Sequence, residues 1–163
     1  MTQSAGQIFA TAHAVVVSIA QEEGGSIVTA ITPNQTHLRL RLFGIDIPES
    51  PRRTICPGQP YSPEARALLQ RLLQGQRILV EIHGVDHAKR LLSTLLVGAQ
   101  NVNLALVEAG FAEVRRDPDV SNPYQTQYEA AEAAARAACH GMWSLGEQYE
   151  SPRDYRHRVR IRE

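Results

Sequence analysis

Apolar and polar positions alternate strictly over residues 38–43, with Leu38, Leu40 and Leu42 on one face and Arg39, Arg41 and Phe43 on the other. A period of two predicts a half-buried strand, leucines toward the core and arginines outward. The pattern ends at Gly44, and Pro48 closes any ladder, so the strand is placed at residues 38–45. Upstream, the run around Val15-Val16-Val17 predicts a buried strand at residues 12–20. A turn at residues 21–25 leads to a second strand at 26–32, rich in β-branched side chains. With the turn at Pro33-Asn34-Gln35, the three strands read as an antiparallel meander.

Downstream the period changes. Ser62-Pro63-Glu64 reads as a helix start, with a hydroxyl cap, proline in the first turn and an acid behind it. Leu68, Leu69, Leu72 and Leu73 form an apolar stripe that ends at Gly75. Strands follow at 77–83 and 91–97, joined by the charged hairpin Asp86-His87-Ala88-Lys89-Arg90. A short helix at 101–108, capped by Asn101 or Asn103, stops at Gly110. After a loop at 115–123, an alanine-rich helix spans 124–140, and Trp143 is placed to seal its end against the core. Five strands with a helix between the third and fourth predict an α+β, mainly β, fold. It is the five-stranded Greek-key barrel of the oligonucleotide/oligosaccharide-binding (OB) kind, with about three α-helices.

Composition narrows this picture only where it is uneven. At 163 residues with 43% hydrophobic content the chain suffices for one barrel domain at 7–146, followed by a basic tail at 147–163. Formal net charge is zero, but residues 153–163 carry five arginines against Asp154 and Glu163, a local +3 that leaves −3 on the rest. That tail has three readings: a contact to phosphates, a segment packed back on the acidic body, or a solvated end. Arginine outnumbers lysine sixteen to one, with Lys89 alone; arginine is the better bidentate phosphate ligand, although a GC-rich genome produces the same bias. Cys56 and Cys139 lack metal-ligand spacing and read as two thiols or a single bridge. No run approaches a membrane span, and the first residues show no signal peptide; the compartment is left open, and a monomer is expected.

The chemistry-bearing residues cluster where the third strand ends. Arg41 faces outward, and Asp46 and Glu49 follow within eight residues, on a chain that has just turned into a loop. An arginine fork matches phosphate oxygens, and carboxylates bind hard cations or take protons from water. The plainer reading of the same residues is an edge strand carrying a solvated ion pair.

The wording Gly44-Ile45-Asp46-Ile47-Pro48-Glu49 after an arginine-rich strand resembles the active-site strand and loop of the staphylococcal nuclease (thermonuclease) family, Arg-x-x-Gly-Ile-Asp-x-Pro-Glu. Further landmarks follow in order over residues 19–144: Gly58-Gln59-Pro60-Tyr61-Ser62-Pro63-Glu64-Ala65, Asn101-Val102-Asn103 with Leu106-Val107-Glu108-Ala109-Gly110, and Gly141-Met142-Trp143-Ser144. The resemblance implies a metal-dependent nuclease that hydrolyses DNA and RNA with calcium and leaves 3′-phosphate ends. It places the catalytic set on Arg41, Glu49 and Arg90. Glu49 would serve as general base on the attacking water or orient it, and the two arginines would stabilise the charge developing on phosphorus. It places metal ligation on Asp46 and the main-chain carbonyl of Ile47. Nucleic-acid contacts would fall on His87, Lys89, Arg115 and Arg116.

Three departures accompany the resemblance. Gly25 stands where the family has its first metal-binding aspartate, so calcium affinity should fall unless Glu22 or Glu23 reaches in. The hairpin at 86–90 lacks the family's tyrosine and glycine, which bears on the aim of Arg90. Arg115 and Arg116 replace the tyrosines that contact substrate. The alternative to a nuclease is therefore a domain of this fold that binds nucleic acid or a protein partner without cutting it.

Overall fold

Strand β1 (Ala10–Glu22) is 13 residues long, longer than its apolar run alone implies, because it serves two neighbours. Its first half pairs antiparallel with β5 (Arg77–Val85) and its second with β2 (Gly25–Ile31), the register shifting between Val16 and Ser18. A shift of this kind bends a strand and lets a sheet curl. Strand β3 (His37–Leu42) pairs with β2, and β6 (Leu91–Val97) with β5. Parallel pairing of β3 with β6 through Leu40–Leu91 and Leu42–Ser93 closes the five-stranded barrel, to which β7 (Gln100–Asn101) adds a short edge. The fold is the expected α+β barrel of OB type. The computed structural model describes residues 7–22, 25–52 and 56–160, with the main chain alone at 21, 22 and 25.

The barrel is filled by the inward side chains of these strands, among them Val16, Val28, Leu40, Val80 and Leu95. Helix α1 (Ser62–Leu73) closes it with Ala65, Leu69 and Leu73, each leucine contributing on the order of 2 kcal/mol by leaving water. Leu68 and Leu72 of the expected stripe pack only at its margin. Ser62 is the first helical residue, not the cap; Tyr61 takes the cap position in a left-handed conformation, φ 67°. Helix α2 (Val102–Glu108) is capped by Asn101, whose side chain accepts from Leu104 N.

The expected strand at 38–45 is two strands. The chain leaves the barrel at Gly44 (φ 77°), and β4 (Ile45–Asp46) pairs with β8 (Glu113–Val114) in a separate two-stranded sheet. The positive φ at Gly44 favours glycine, and a Cβ there would also press on the end of the Asn122 side chain. Phe43, expected outward, is buried: the His83 ring stacks on it at 4.4 Å.

Helix α3 (Gln125–Ala137) is shorter at both ends than the expected 124–140. The 3-10 segment Gly141–Gln148 follows and carries the buried Trp143, with the Arg136 guanidinium 3.7 Å over its ring. The residues expected as a tail then form a fourth helix, α4 (Pro152–Arg160), docked by the buried Pro152 and Tyr155. Of the five arginines in the expected tail, Arg162 lies outside the described residues. Of the three readings of the tail, packing back on the acidic body is the one observed. Cys56 is buried beneath α4, Cys139 is exposed, and both are free thiols.

Candidate active site

Asp46 and Glu49, 9% and 4% exposed, are more buried than a loop reading suggests. Their positions follow from the turn at Gly44. β4 carries Asp46 back past Arg41, and the chain beyond Pro48 is clamped by Gln59. The Glu49 amide donates to Gln59 Oε1 (2.9 Å), the Gln59 amide donates to the Glu49 carbonyl (2.8 Å), and Gln59 Nε2 donates to Glu150 O (2.8 Å).

Eight charged side chains, each facing one of opposite sign, connect across this corner. Arg90 Nε donates to Asp86 Oδ2 at 2.7 Å, and Arg41 Nη1 stands 3.6 Å from the same oxygen. Arg41 Nη2 lies 3.9 Å from Asp46 Oδ1. Arg156, from α4, donates through Nη2 to Asp46 Oδ2 (3.1 Å) and through Nη1 to Glu49 Oε1 (2.7 Å). Arg52 Nη2 donates to the other Glu49 oxygen at 3.2 Å, and Arg115 Nη1 lies 3.9 Å from Asp46. The proposed catalytic residues Arg41 and Arg90 therefore share Asp86, and Glu49 joins them through Asp46 and Arg156.

Burial and charge set the ionisation of these groups. Burial lowers the Arg41 pKa; Asp46 opposes this, while Arg90, Arg115 and Arg156 reinforce it. Burial raises the Asp86 carboxyl, but hydrogen bonds from Arg90 and Ala88 and the Arg90 charge outweigh it and hold the group below its ordinary value. Burial also works against the Arg156 cation, and Asp46 and Glu49 more than reverse that.

Despite its departure from the family pattern the hairpin keeps a tight turn, and Arg90 is buried against Asp86. Lys89 takes the left-handed conformation (φ 58°) that a glycine would supply, and Asp86 Oδ1 accepts from Ala88 N and Arg90 N. Of the expected nucleic-acid contacts, His87 and Lys89 are exposed at this tip. Arg115 joins the site. Arg116 turns toward α3, donating to Val114 O (3.0 Å) and pairing with Glu132 and Glu129, although it still borders the adjoining groove. Sequence reasoning missed Asp86, Arg52 and Arg156. Asp86 had a signal, an acid four residues before Arg90 in a turn; Arg156 had none beyond the charge of the tail.

Two cavities meet at Arg115. One, of about 220 Å³, is lined by Arg41, Gly44, Asp86 and Asn122; the other, of about 640 Å³, runs from Asp46 between the β8–α3 loop and α4. The second is bordered by Arg115, Arg116, Arg153, Arg156, Arg160 and His157 against Asp46, Glu113 and Asp117, a surface with an excess of arginines on a chain without net charge.

A calcium site takes six to eight oxygens with several negative charges. Asp46 is instead ringed by three guanidiniums, and no group of three or more His, Cys, Asp or Glu side chains able to hold a metal ion occurs among the described residues. Ile47 is buried directly after Asp46. Gly25 opens β2 opposite Glu22, while Glu23 and the side chain of Glu22 lie outside what is described, as does their reach toward the site. Among the described residues this donor set does not fit a divalent cation.

Comparison with known proteins agrees with the fold. The family described as staphylococcal nuclease homologue matches residues 39–145. Over 130 residues, 75% of this chain, the sequence is 32% identical to the "Probable endonuclease LCL3" of Verticillium alfalfae and 33% to that of Botryotinia fuckeliana. These alignments cover 45% and 49% of those proteins, so the chain spans about half the length of the curated relatives it matches. It is 33% identical over 131 residues to "Endonuclease Htp3" of Saprolegnia parasitica, covering 60% of that protein. No helix among the described residues is long and apolar enough to cross a membrane. Barrel, landmarks and matches together make this chain a member of the staphylococcal nuclease family.

Proposed function

We propose that the chain hydrolyses phosphodiester bonds of DNA, RNA or both, acting as a monomer. Glu49 orients the attacking water and takes its proton; the water oxygen bonds to phosphorus as the bond to the 5′-oxygen breaks, and that oxygen leaves with the bonding electron pair and takes a proton from solvent water. Arg41 and Arg90 donate to the non-bridging oxygens, where negative charge grows in the transition state. The observation that carries this reading is the shared anchoring of Arg41 and Arg90 on Asp86, which holds two cations together beside a cavity that Arg41 and Asp86 line. A carboxylate offers about four lone-pair sites, so the Glu49 ion pairs leave acceptor capacity for a water. The calcium dependence that the family resemblance suggests is not used in any step, because the donor set does not fit.

A second reading rests on a specific contact. Both Glu49 oxygens already accept from arginines, Arg156 and Arg52, which favours a domain that binds nucleic acid or a protein without cutting it. Incubating the protein and its Glu49→Gln variant with heat-denatured DNA, in calcium and in chelator, separates the two. Hydrolysis predicts cleavage that falls on the order of 10²–10³-fold in the variant with DNA binding retained. Equal activity in both proteins rules the mechanism out, and no cleavage in any condition selects the binding reading.

A further inference from the structure

Arg156 lies beyond the stretch that matches the family, yet it makes the shortest contact to Glu49. We propose that Arg156 is the tethered cation of this site: its guanidinium holds the place between Asp46 and Glu49 that a divalent ion would take, and offers its other edge to phosphate in the basic groove. The proposal rests on the reading of Asp46 and Glu49 as the phosphodiester site.

The contact is built rather than incidental. Arg156 spans the two carboxylates with one N–H each, at 2.7 and 3.1 Å, and its side chain is only 19% exposed. The residue before it fixes the helix: the Tyr155 hydroxyl accepts from Gly58 N at 3.0 Å and contacts Cys56 Sγ at 3.2 Å. Arg158 forks onto Glu150 at 2.7 and 2.8 Å, and Asp154 N donates to Ser151 Oγ. Gln59, which clamps Glu49, also bonds Glu150 O. The loop carrying the carboxylates and the helix carrying the cation are thus one packed unit.

Charge argues the same way. The family resemblance puts a lost carboxylate at Gly25, and a singly charged guanidinium balances a site one negative charge poorer. Arg41 and Arg115 flank Asp46 at 3.9 Å, so an incoming doubly charged ion would meet cations on several sides. A guanidinium also has five N–H donors in a fixed fork, two of which go to the carboxylates, and Arg156 lines the groove shared with Arg115, Arg153 and Arg160.

The test uses calcium alone, so its outcome does not depend on cleavage. Calorimetric titration of calcium chloride into the full chain, Arg156→Gln and Asp46→Asn/Arg156→Gln should show at least a tenfold gain in affinity on removing Arg156, lost again with Asp46. Wild-type protein binding calcium as tightly as Arg156→Gln overturns the proposal. Should the variant fail to fold, thermal melts of the wild-type protein decide. They should not shift up to about 10 mM calcium, above the range of weak protein sites, and a saturating rise in Tm overturns it.

Discussion

Asn103 Nδ2 donates to the main-chain oxygen of Phe43 at 3.1 Å, joining the first turn of α2 to the last residue before the chain leaves the barrel. The same amide donates to Ser93 O at 3.1 Å, and Leu95 N donates to Asn103 Oδ1 at 3.2 Å, all out of reach of water. Two main-chain groups at the seam of β3 and β6, Phe43 O and Leu95 N, rest on this one side chain, while Ser93 O also accepts from Phe43 N at 2.9 Å.

Asn103→Ala should therefore destabilise the protein by about 2 kcal/mol or more, since each buried group left unpaired costs roughly 1–3 kcal/mol. Urea unfolding would show a lower midpoint at an unchanged slope. A loss below about 1 kcal/mol would mean that water or a neighbour replaces the amide.

Lys89 sits at φ 58°, where a side chain costs on the order of 1–2 kcal/mol, partly offset because glycine is freer when unfolded. Lys89→Gly should stabilise the fold by up to about 1 kcal/mol, with Arg90 still held by Asp86. Thermal melts read this directly, and a lower Tm would show that the lysine side chain makes a compensating contact.

Glu113 faces Asp46 across β4 and β8. Burial raises its pKa above the ordinary 4.5; the Tyr149 hydroxyl, donating at 2.6 Å, opposes this, and Glu132 and Asp46 add to the rise. An acid with a raised folded pKa favours the folded state fully only below its unfolded value, and that contribution is lost as pH rises through the folded pKa. Glu113→Gln keeps an acceptor for Tyr149 and removes the charge. The variant should melt higher than wild type at pH 7, with the gap closing by about pH 4.

The groove beside α4 should carry phosphate contacts. Arg115→Gln and Arg153→Gln should each weaken binding of a single-stranded oligonucleotide, measured in chelator. Each should also reduce the magnitude of the slope of log affinity against log salt by about one. Unchanged slopes would place the nucleic acid elsewhere.

Much of the architecture was legible in the chain because barrel strands and amphipathic helices write their burial into local periodicity. The alternation at 38–43 marked β3, and the leucines after Pro63 marked α1. Arg41, Glu49 and Arg90 were legible through resemblance, and the structure places all three on one charged network. Phe43 was misread because alternation reports which face a residue shares, not what covers that face; His83 covers it. The third strand was overextended because a glycine corner preserves the apolar pattern while changing the partner strand.

The sequence by itself determined the barrel, the order of its helices and the residue types at the end of β3, since each depends on neighbours a few positions apart. Only the tertiary structure decided what surrounds Asp46 and Glu49. Arg156 meets them across 110 and 107 residues of chain, because Tyr155 seats α4 against the loop after Glu49. An ion pair between segments so far apart leaves no periodic trace: its two halves are ordinary charged residues until packing brings them within a hydrogen bond.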